Sequence, residues 1–143
     1  MRFMVIVKVS ESSENEVVMP SDQFMADMDK FNDDLLEAGV LLGYDGLHPS
    51  SKGARVHFSG KNFTVTDGPF AESKEVIASF WFWQVKSLEE AIEWIKRCPN
   101  EGESDIEIRQ VFEPEDFASA FSDEEIHKEK NFRARMAANA AKK

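Results

Sequence analysis

Apolar residues alternate in two segments with the period of two that is typical of β-strands. The first segment covers residues 3–9 and the second covers residues 77–85, and both sides of each are largely apolar. Strands of this kind lie inside a sheet, because both of their sides must be covered. The pattern therefore predicts two central strands. Their large apolar residues are Phe3, Met4, Val5, Ile6, Val7, Phe80, Trp81, Phe82 and Trp83.

Two other segments repeat apolar residues at the three- and four-residue spacing of an amphipathic helix. The first begins near Ser21 and ends at Gly39, and its outer side is acidic. The second begins with a capping box that joins Ser87 to Glu90, and Pro99 closes it. Each helix is predicted to bury one stripe. The stripes are Phe24, Met28, Phe31 and Leu35 in the first helix and Leu88, Ala91, Ile92 and Ile95 in the second.

Shorter apolar segments complete the pattern. A strand begins at residues 40–42 and is broken by Gly43, a hairpin joins residues 54–59 to 61–66, and a last strand covers residues 105–112. The order is strand, helix, group of strands, helix, strand. This order predicts an α+β fold in which two helices cover one face of a largely antiparallel sheet.

The composition predicts one globular domain followed by an extension that begins at Pro114. Residues 1–113 contain all of the elements above, and residues 114–143 form a helical C-terminal extension whose capping box starts at Ser122. The extension has six acidic and six basic side chains. The whole net charge of −10 therefore belongs to residues 1–113.

The two-sided apolar strands predict a partner for the sheet. If both helices cover one face, a monomer leaves the other face, with Met4, Ile6, Phe80 and Phe82, in contact with water. A second copy of the sheet, packed face to face about a two-fold axis, would bury it and form a barrel. The alternative is that residues 114–143 fold back over this face. We expect a homodimer.

Net charge and cysteine content limit the other partners and the location. A charge of −10 repels nucleic acid and anionic membrane surfaces, so neither is expected as a partner. No apolar segment approaches membrane-spanning length, and the apolar start is too short for a secretory signal. Cys98 is the single cysteine, which excludes an internal disulfide and suits the reducing cytoplasm.

The most informative motif follows the predicted hairpin and reads Asp67-Gly68-Pro69-Phe70. Glycine gives backbone freedom and proline fixes φ, so this turn can hold the Asp67 carboxylate in one orientation at the mouth of a pocket. Beside aromatic walls the carboxylate would exchange protons near neutral pH and act as a general acid or base. The alternative is a side chain that only satisfies turn amides.

Histidine and basic residues supply the other candidates. His48 lies in the loop after the second strand and is a candidate proton carrier, while His57 lies beside Arg55 on the hairpin. Arg55 and Lys74 are candidates for binding an anionic ligand. Three separated histidines and one cysteine give no metal pattern, so no metal or other cofactor is predicted. Haem would need His48 or His57 as its axial ligand.

The turn motif, extended over residues 67–75 and preceded by residues 39–43 and 46–49, resembles the DGPF branch of the YCII-related family. The resemblance covers residues 1–113 and implies a ferredoxin-like dimeric α+β barrel. It implies no established reaction. Members look like small bacterial proteins, some encoded beside or fused to extracytoplasmic-function sigma factors. The YCII branch has been interpreted as enzymatic from a pocket His-Asp pair; Asp67 matches the aspartate, whereas residues 25–29 lack the helix histidine.

Two functional hypotheses follow. In the first, the protein is a dimeric small-molecule enzyme in which Asp67 is the general acid or base, His48 assists it, and Gly68, Pro69, Phe70, Arg55 and His57 contact the ligand. In the second, it is a non-catalytic ligand-binding or interaction module, linked to transcription through a sigma-factor neighbour. The missing helix histidine and the charge-balanced extension are the reasons for considering the second, which is the alternative to the first.

Overall fold

A computed structural model describes residues 1–10, 13–14, 20–70 and 75–142 of the chain. The described residues belong to two compact units, Met1–Gln110 and Val111–Lys143. The strands of the first unit are β1 (Arg2–Val9), β2 (Leu41–Gly46), β3 (Ala54–Ser59), β4 (Asn62–Asp67), β5 (Val76–Gln84) and β6 (Asp105–Gln110). The helices are α1 (Asp22–Glu37) and α2 (Leu88–Ile95) in the first unit and α3 (Asp123–Ala140) in the second, with 3-10 turns at Ser50–Lys52 and Pro114–Phe117.

The main sheet has four strands in the order β2-β5-β1-β6, and its neighbouring strands are antiparallel. Strand β1 pairs with β5 so that Phe3 lies opposite Trp83 and Val5 lies opposite Trp81. Strands β3 and β4 form a separate two-stranded sheet. The predicted fold class is confirmed: the first unit is α+β with a ferredoxin-like antiparallel sheet.

Both helices cover the same face of the sheet. The side chains of Phe31 and Leu35 on α1 and of Ala91 on α2 are buried with Trp81 and Trp83 in one core cluster. The ring of Phe31 contacts both indoles, with centroid distances of 6.3 Å. Burying side chains of this size contributes about 1.5–3 kcal/mol each, so this cluster is the main source of stability in the unit.

The ends of the helices follow the predicted signals with one difference. The hydroxyl of Ser21 accepts a hydrogen bond from the Phe24 amide at 3.0 Å and caps α1, and Gly39 ends that segment with a φ of 71°. The hydroxyl of Ser87 accepts from the Glu90 amide. The Glu90 carboxylate, however, binds the amide of Lys86 instead of that of Ser87. The predicted reciprocal capping box at α2 is therefore only half formed.

The predicted break of the second strand at Gly43 is wrong. Strand β2 continues to Gly46, and its pairing with β5 shifts between Leu41 and Gly43. This irregularity has the character of a β-bulge, in which a residue without a side chain fits easily. Glycine therefore marks a bend within this strand and not its end.

The second face of the sheet is apolar, and part of it is covered within the chain. The pairing of β1 with β5 places Met4 opposite Phe82 and Ile6 opposite Phe80 on this face. Ile6 is only 7% exposed. The rings of Phe80 and Phe82 contact each other at 5.7 Å. The homodimer remains a prediction.

The C-terminal unit is a short helical structure. The hydroxyl of Ser122 accepts from the Glu125 amide while the Glu125 carboxylate accepts from the Ser122 amide, which is the predicted capping box. The ring of Phe117 contacts those of Phe112 and Phe121, at 5.0 and 5.3 Å. Across the described part of the chain, no helix combines the length and the apolar character needed to cross a membrane.

The core cluster predicts opposite effects for two neighbouring leucines on α1. Leu35 is 0% exposed and Leu36 is 61% exposed. We expect Leu35→Ala to lower the free energy of unfolding by about 2–5 kcal/mol, because it leaves a cavity beside the tryptophans. Leu36→Ala, the matched control, should change it by less than about 0.5 kcal/mol. Urea unfolding followed by tryptophan fluorescence measures both; equal effects would contradict the described core.

Candidate functional site

Asp67 is the last residue of β4, and its side chain is exposed. It lies opposite Ala54 in the ladder, whereas Arg55 lies opposite Thr66 and His57 opposite Thr64. Side chains alternate between the two faces of a strand pair. Asp67 therefore projects from one face of the hairpin, and both Arg55 and His57 project from the other.

The backbone around Gly68 brings two segments of the sequence together. The Gly68 amide donates a hydrogen bond to the Gly53 carbonyl at 3.0 Å. A Cβ atom on Gly68 would lie 1.7 Å from the Ser50 carbonyl oxygen. The turn at Ser50–Lys52 is therefore packed directly against the Asp67 loop. Glycine is required here because no side chain fits between the two backbones.

His48 lies two residues before that turn, and its side chain is exposed. As predicted, the loop that carries His48 approaches the Asp67 loop, but the contact is between backbone atoms. In the described residues, no hydrogen bond or ion pair joins the His48 side chain to that of Asp67. Both side chains are exposed in the described part of the chain, and the aromatic pocket around Asp67 stays a prediction.

The remaining residues of the motif have structural contacts. The Gly68–Pro69 peptide bond is cis. The guanidinium of Arg55 lies 4.0 Å from the centroid of the Phe70 ring, which is a cation–π contact between the base of the hairpin and the turn. Lys74, the other candidate for an anionic ligand, lies outside the described residues. The candidate residues of the motif are thus split between a packed turn and two faces of a hairpin.

The first unit contains a cleft elsewhere, between α1, the sheet and the segment after α2. Its volume is about 510 Å³, and it is partly open to solvent. This size lies within the usual range for small-molecule sites. The lining includes Phe24, Met28, Asn32, Tyr44, Trp81 and Ile95.

A hydrogen bond fixes the inner wall of this cleft. The indole Nε1–H of Trp81 donates to the Asn32 side-chain oxygen at 3.0 Å. The bond joins the middle of β5 to the inner side of α1, and Trp81 is only 6% exposed. By contrast, the buried indole N–H of Trp83 has no acceptor in the described part of the structure. Trp81 is thus the indole that is anchored by a polar contact.

Sequence reasoning missed this cleft. Asn32 follows Phe31 on α1 and lies beside the predicted apolar stripe, to which it does not belong. A signal was available, because a tryptophan in a central strand usually needs an acceptor for its N–H. The periodicity of a helix or a strand does not determine the width of the gap between them. The cleft can therefore be identified only from the structure.

Cys98 lies at the cleft as an unreactive thiol. Burial raises its pKa to about 11. The thiol is therefore protonated at neutral pH, and a thiolate nucleophile is disfavoured. Among the described residues, no group of three or more His, Cys, Asp or Glu side chains could hold a metal ion.

A charged cluster lies at the edge of the sheet's second face, but its groups satisfy one another. The ammonium of Lys8 pairs with Glu107 and with Glu75, the latter at 3.2 Å. Hydrogen bonding to Glu107, and then to Glu75, raises the pKa of Lys8, and hydrogen bonding to Lys8 lowers the pKa of Glu107. Lys8 is already neutralised by two carboxylates, so it is a poor candidate for binding an anion.

The C-terminal unit has an apolar groove of its own, of about 770 Å³. Its lining includes Phe117, Phe121, Ile126 and Phe132. Two basic groups of this unit pair within it, since Lys130 binds Glu115 and Arg133 binds Glu129. The groove therefore offers mainly apolar surface, and the guanidinium of Arg133 at its lining is already occupied by a carboxylate.

The contact at Gly68 predicts a local effect of substitution. Gly68→Ala would place a methyl group in steric clash with the Ser50 carbonyl oxygen. The turn at Ser50–Lys52 and the Asp67 loop would therefore have to separate. We expect a loss of about 1–3 kcal/mol and faster amide hydrogen exchange across residues 50–68, measured by mass spectrometry. Gly46→Ala is the matched control, because nothing lies within 4 Å of its added Cβ. Unchanged exchange in the Gly68 variant would contradict the described packing.

Comparison with known proteins agrees with this architecture. Residues 1–115 match the model of the YCII-related domain. The chain is also similar to an uncharacterized protein of Rhizobium meliloti (strain 1021), with 28% identity over 102 residues, which is 68% of this chain and 82% of that protein. The match covers the whole first unit, including both helices and the hairpin. The chain therefore belongs to the YCII-related family.

Proposed function

We propose that this protein binds a small organic molecule in the cleft between α1 and the sheet. The observation that carries the proposal is the anchored Trp81 indole, which forms a rigid aromatic wall inside a cleft of about 510 Å³. Ligand sites typically combine such apolar walls with a few fixed polar groups. Asn32 supplies one, because its oxygen is occupied by Trp81 and its amide N–H groups remain to donate.

The charges around the cleft favour a neutral or cationic ligand. No Lys, Arg or His is among the described lining residues, whereas Asp45 is one of them. The first 113 residues carry the whole net charge of −10, which disfavours an anion at this site. The rings of Phe24, Tyr44 and Trp81 suit a flat ligand, and aromatic faces also attract cations.

The same chemistry favours binding over catalysis. The described lining residues include no histidine, and the thiol of Cys98 is protonated at neutral pH. Asp67, the predicted general acid or base, is not part of the lining. The second hypothesis, a non-catalytic ligand-binding module, therefore has the better geometric support.

We also propose that the chain belongs to the DGPF branch of the family, because it contains the motif Asp67-Gly68-Pro69-Phe70. We propose the cytoplasm as its location, because a single cysteine suits a reducing compartment.

Three compounds with one phenyl ring and different charges test the proposal: phenethylamine, 3-phenylpropanamide and 3-phenylpropionate. We expect the amine and the amide to shift the NMR signal of the Trp81 indole N–H saturably, with a Kd of about 1 mM, which is typical of such small ligands. The carboxylate should not bind, because the lining residues that the structure describes supply no cation.

Two substitutions on β5 provide the control. Ser79 lies on the same face as Trp81 and lines the cleft, whereas Gln84 at the end of the strand is exposed and is not part of the lining. Ser79→Leu should weaken binding by filling the cleft, whereas Gln84→Leu should leave it unchanged. If none of the three compounds shifts the indole signal, binding in the cleft is wrong. If the carboxylate binds as well as the amine, the cleft stands but the ligand class is wrong.

A further inference from the structure

Trp81 fixes the orientation of the Asn32 side chain in the cleft. An asparagine amide has one oxygen that accepts hydrogen bonds and one NH2 group that donates them, whereas an indole N–H can only donate. The bond of 3.0 Å between the two residues therefore requires the Asn32 oxygen to face the indole. The NH2 group of Asn32 is then turned away from Trp81, so the side chain has one determined arrangement instead of two.

The NH2 group of Asn32 has no acceptor among the described residues. Asn32 is half-buried and lines the cleft. The carboxylate of Asp34, two residues further along α1, binds Lys30 and Arg97 instead. Water can accept from the NH2 group before a ligand binds, but a ligand that fills the cleft displaces that water. A donor left without an acceptor costs free energy, so a ligand that binds well must supply an acceptor.

The other polar side chains of the lining do not define the ligand in this way. Its hydroxyl groups both donate and accept, so they fit a donor or an acceptor equally well. The side-chain NH2 group of Asn100 already donates to the Gly102 carbonyl at 2.7 Å, and its oxygen accepts from the Ser104 hydroxyl at 3.3 Å. Among the described lining residues, Asn32 is therefore the one with a side-chain N–H group left to donate.

Asp45 is the acidic residue of the described lining, but the strand register separates its carboxylate from the indole. Tyr44 lies opposite Trp81 in the ladder, and Asp45 lies opposite Phe80. Directly opposite residues of an antiparallel pair share a face, and successive residues alternate between faces. The Asp45 side chain therefore projects from the face that carries Phe80. An ammonium group beside the Trp81 ring would meet the NH2 donor of Asn32 and not a carboxylate.

We propose that Asn32 determines the specificity of the cleft and that its NH2 group selects an uncharged aromatic ligand with a carbonyl oxygen as hydrogen-bond acceptor. The ring of the ligand packs against Trp81, and its carbonyl oxygen accepts from Asn32. A site that binds one polar group of a ligand in this way discriminates against analogues without that group. This inference rests on the proposed function, because it concerns the same cleft, and it narrows the ligand class from neutral or cationic to neutral.

Two compounds with the same carbon skeleton test the proposal. The first, 4-phenylbutan-2-one, has a carbonyl acceptor, and the second, 4-phenylbutan-2-amine, has an ammonium donor on the same carbon atom. We expect the ketone to bind about two- to tenfold more tightly than the amine in NMR titrations of the Trp81 indole signal, which is the range for one neutral hydrogen bond. An amine that binds as tightly as the ketone would overturn the proposal.

The variant Asn32→Asp exchanges the donor that meets the ligand for an acceptor. Its carboxylate keeps one oxygen for the Trp81 indole and presents the other where the NH2 group was. We expect the ketone to bind at least about fivefold more weakly and the amine more tightly, so that the preference inverts. The matched control Asn62→Asp adds the same charge at an exposed position outside the lining, and should change both affinities by less than about twofold. A preference for the ketone that survives in Asn32→Asp would contradict the proposal.

The side-chain amide signals of the unmodified protein keep the test valid if Asn32→Asp fails to fold. The ketone should shift the NH2 proton signals of Asn32 downfield, with the same Kd as the Trp81 indole signal, because a hydrogen bond deshields the donated proton. The amine should cause no downfield shift at Asn32, and the NH2 signals of the exposed Asn62 should not move with either compound.

The outcomes separate this inference from the proposed function. If the ketone shifts the Trp81 signal but not the NH2 signals of Asn32, the cleft binds the ligand and Asn32 does not select it, so this inference is wrong and the proposed function stands. If neither compound shifts the Trp81 signal, both are wrong.

Discussion

The packing of Trp81 against helix α1 is the contact on which the rest of the first unit depends. The ring of Phe31 lies against both Trp81 and Trp83, and the Asn32 side chain accepts the Trp81 N–H one residue later. Two successive residues of α1 thus have different roles: Phe31 packs in the core, and Asn32 holds the indole that forms the wall of the cleft. The register of β1 against β5, which puts Val5 opposite Trp81, sets the position of that wall in the sheet.

This arrangement explains how much of the fold can be predicted from sequence. The spacing of apolar residues identifies the strands and helices, because the buried side of a strand repeats every two residues and that of a helix every three or four. The end of α1 is also readable, since Gly39 adopts a positive φ. Gly43 was misread because a glycine within a strand and a glycine at its end look alike in sequence. The cleft depends on the distance between elements, and that distance leaves no pattern along the chain.

The turn at Asp67-Gly68-Pro69-Phe70 has a structural explanation that does not require chemistry. Gly68 is confined by the Ser50 carbonyl, and Phe70 receives the guanidinium of Arg55. The first contact packs the Asp67 loop against the turn at Ser50–Lys52, and the second joins the base of the β3–β4 hairpin to that loop. The role of Asp67 in catalysis stays a prediction. The motif that is most recognisable in the sequence is therefore placed where it orients an exposed projection, while the cleft is built from residues without a motif.

The rate of hydrogen exchange at the Trp81 indole tests the central geometry most directly. Both Asn32 and the burial of the ring should slow that exchange relative to the more exposed Trp94 indole. In Asn32→Ala, the Trp81 N–H should exchange faster while the backbone amides of β1 and β5 remain protected. If Trp81 exchanges at the same rate with and without the Asn32 side chain, the indole is not anchored to α1, and the described wall of the cleft is wrong.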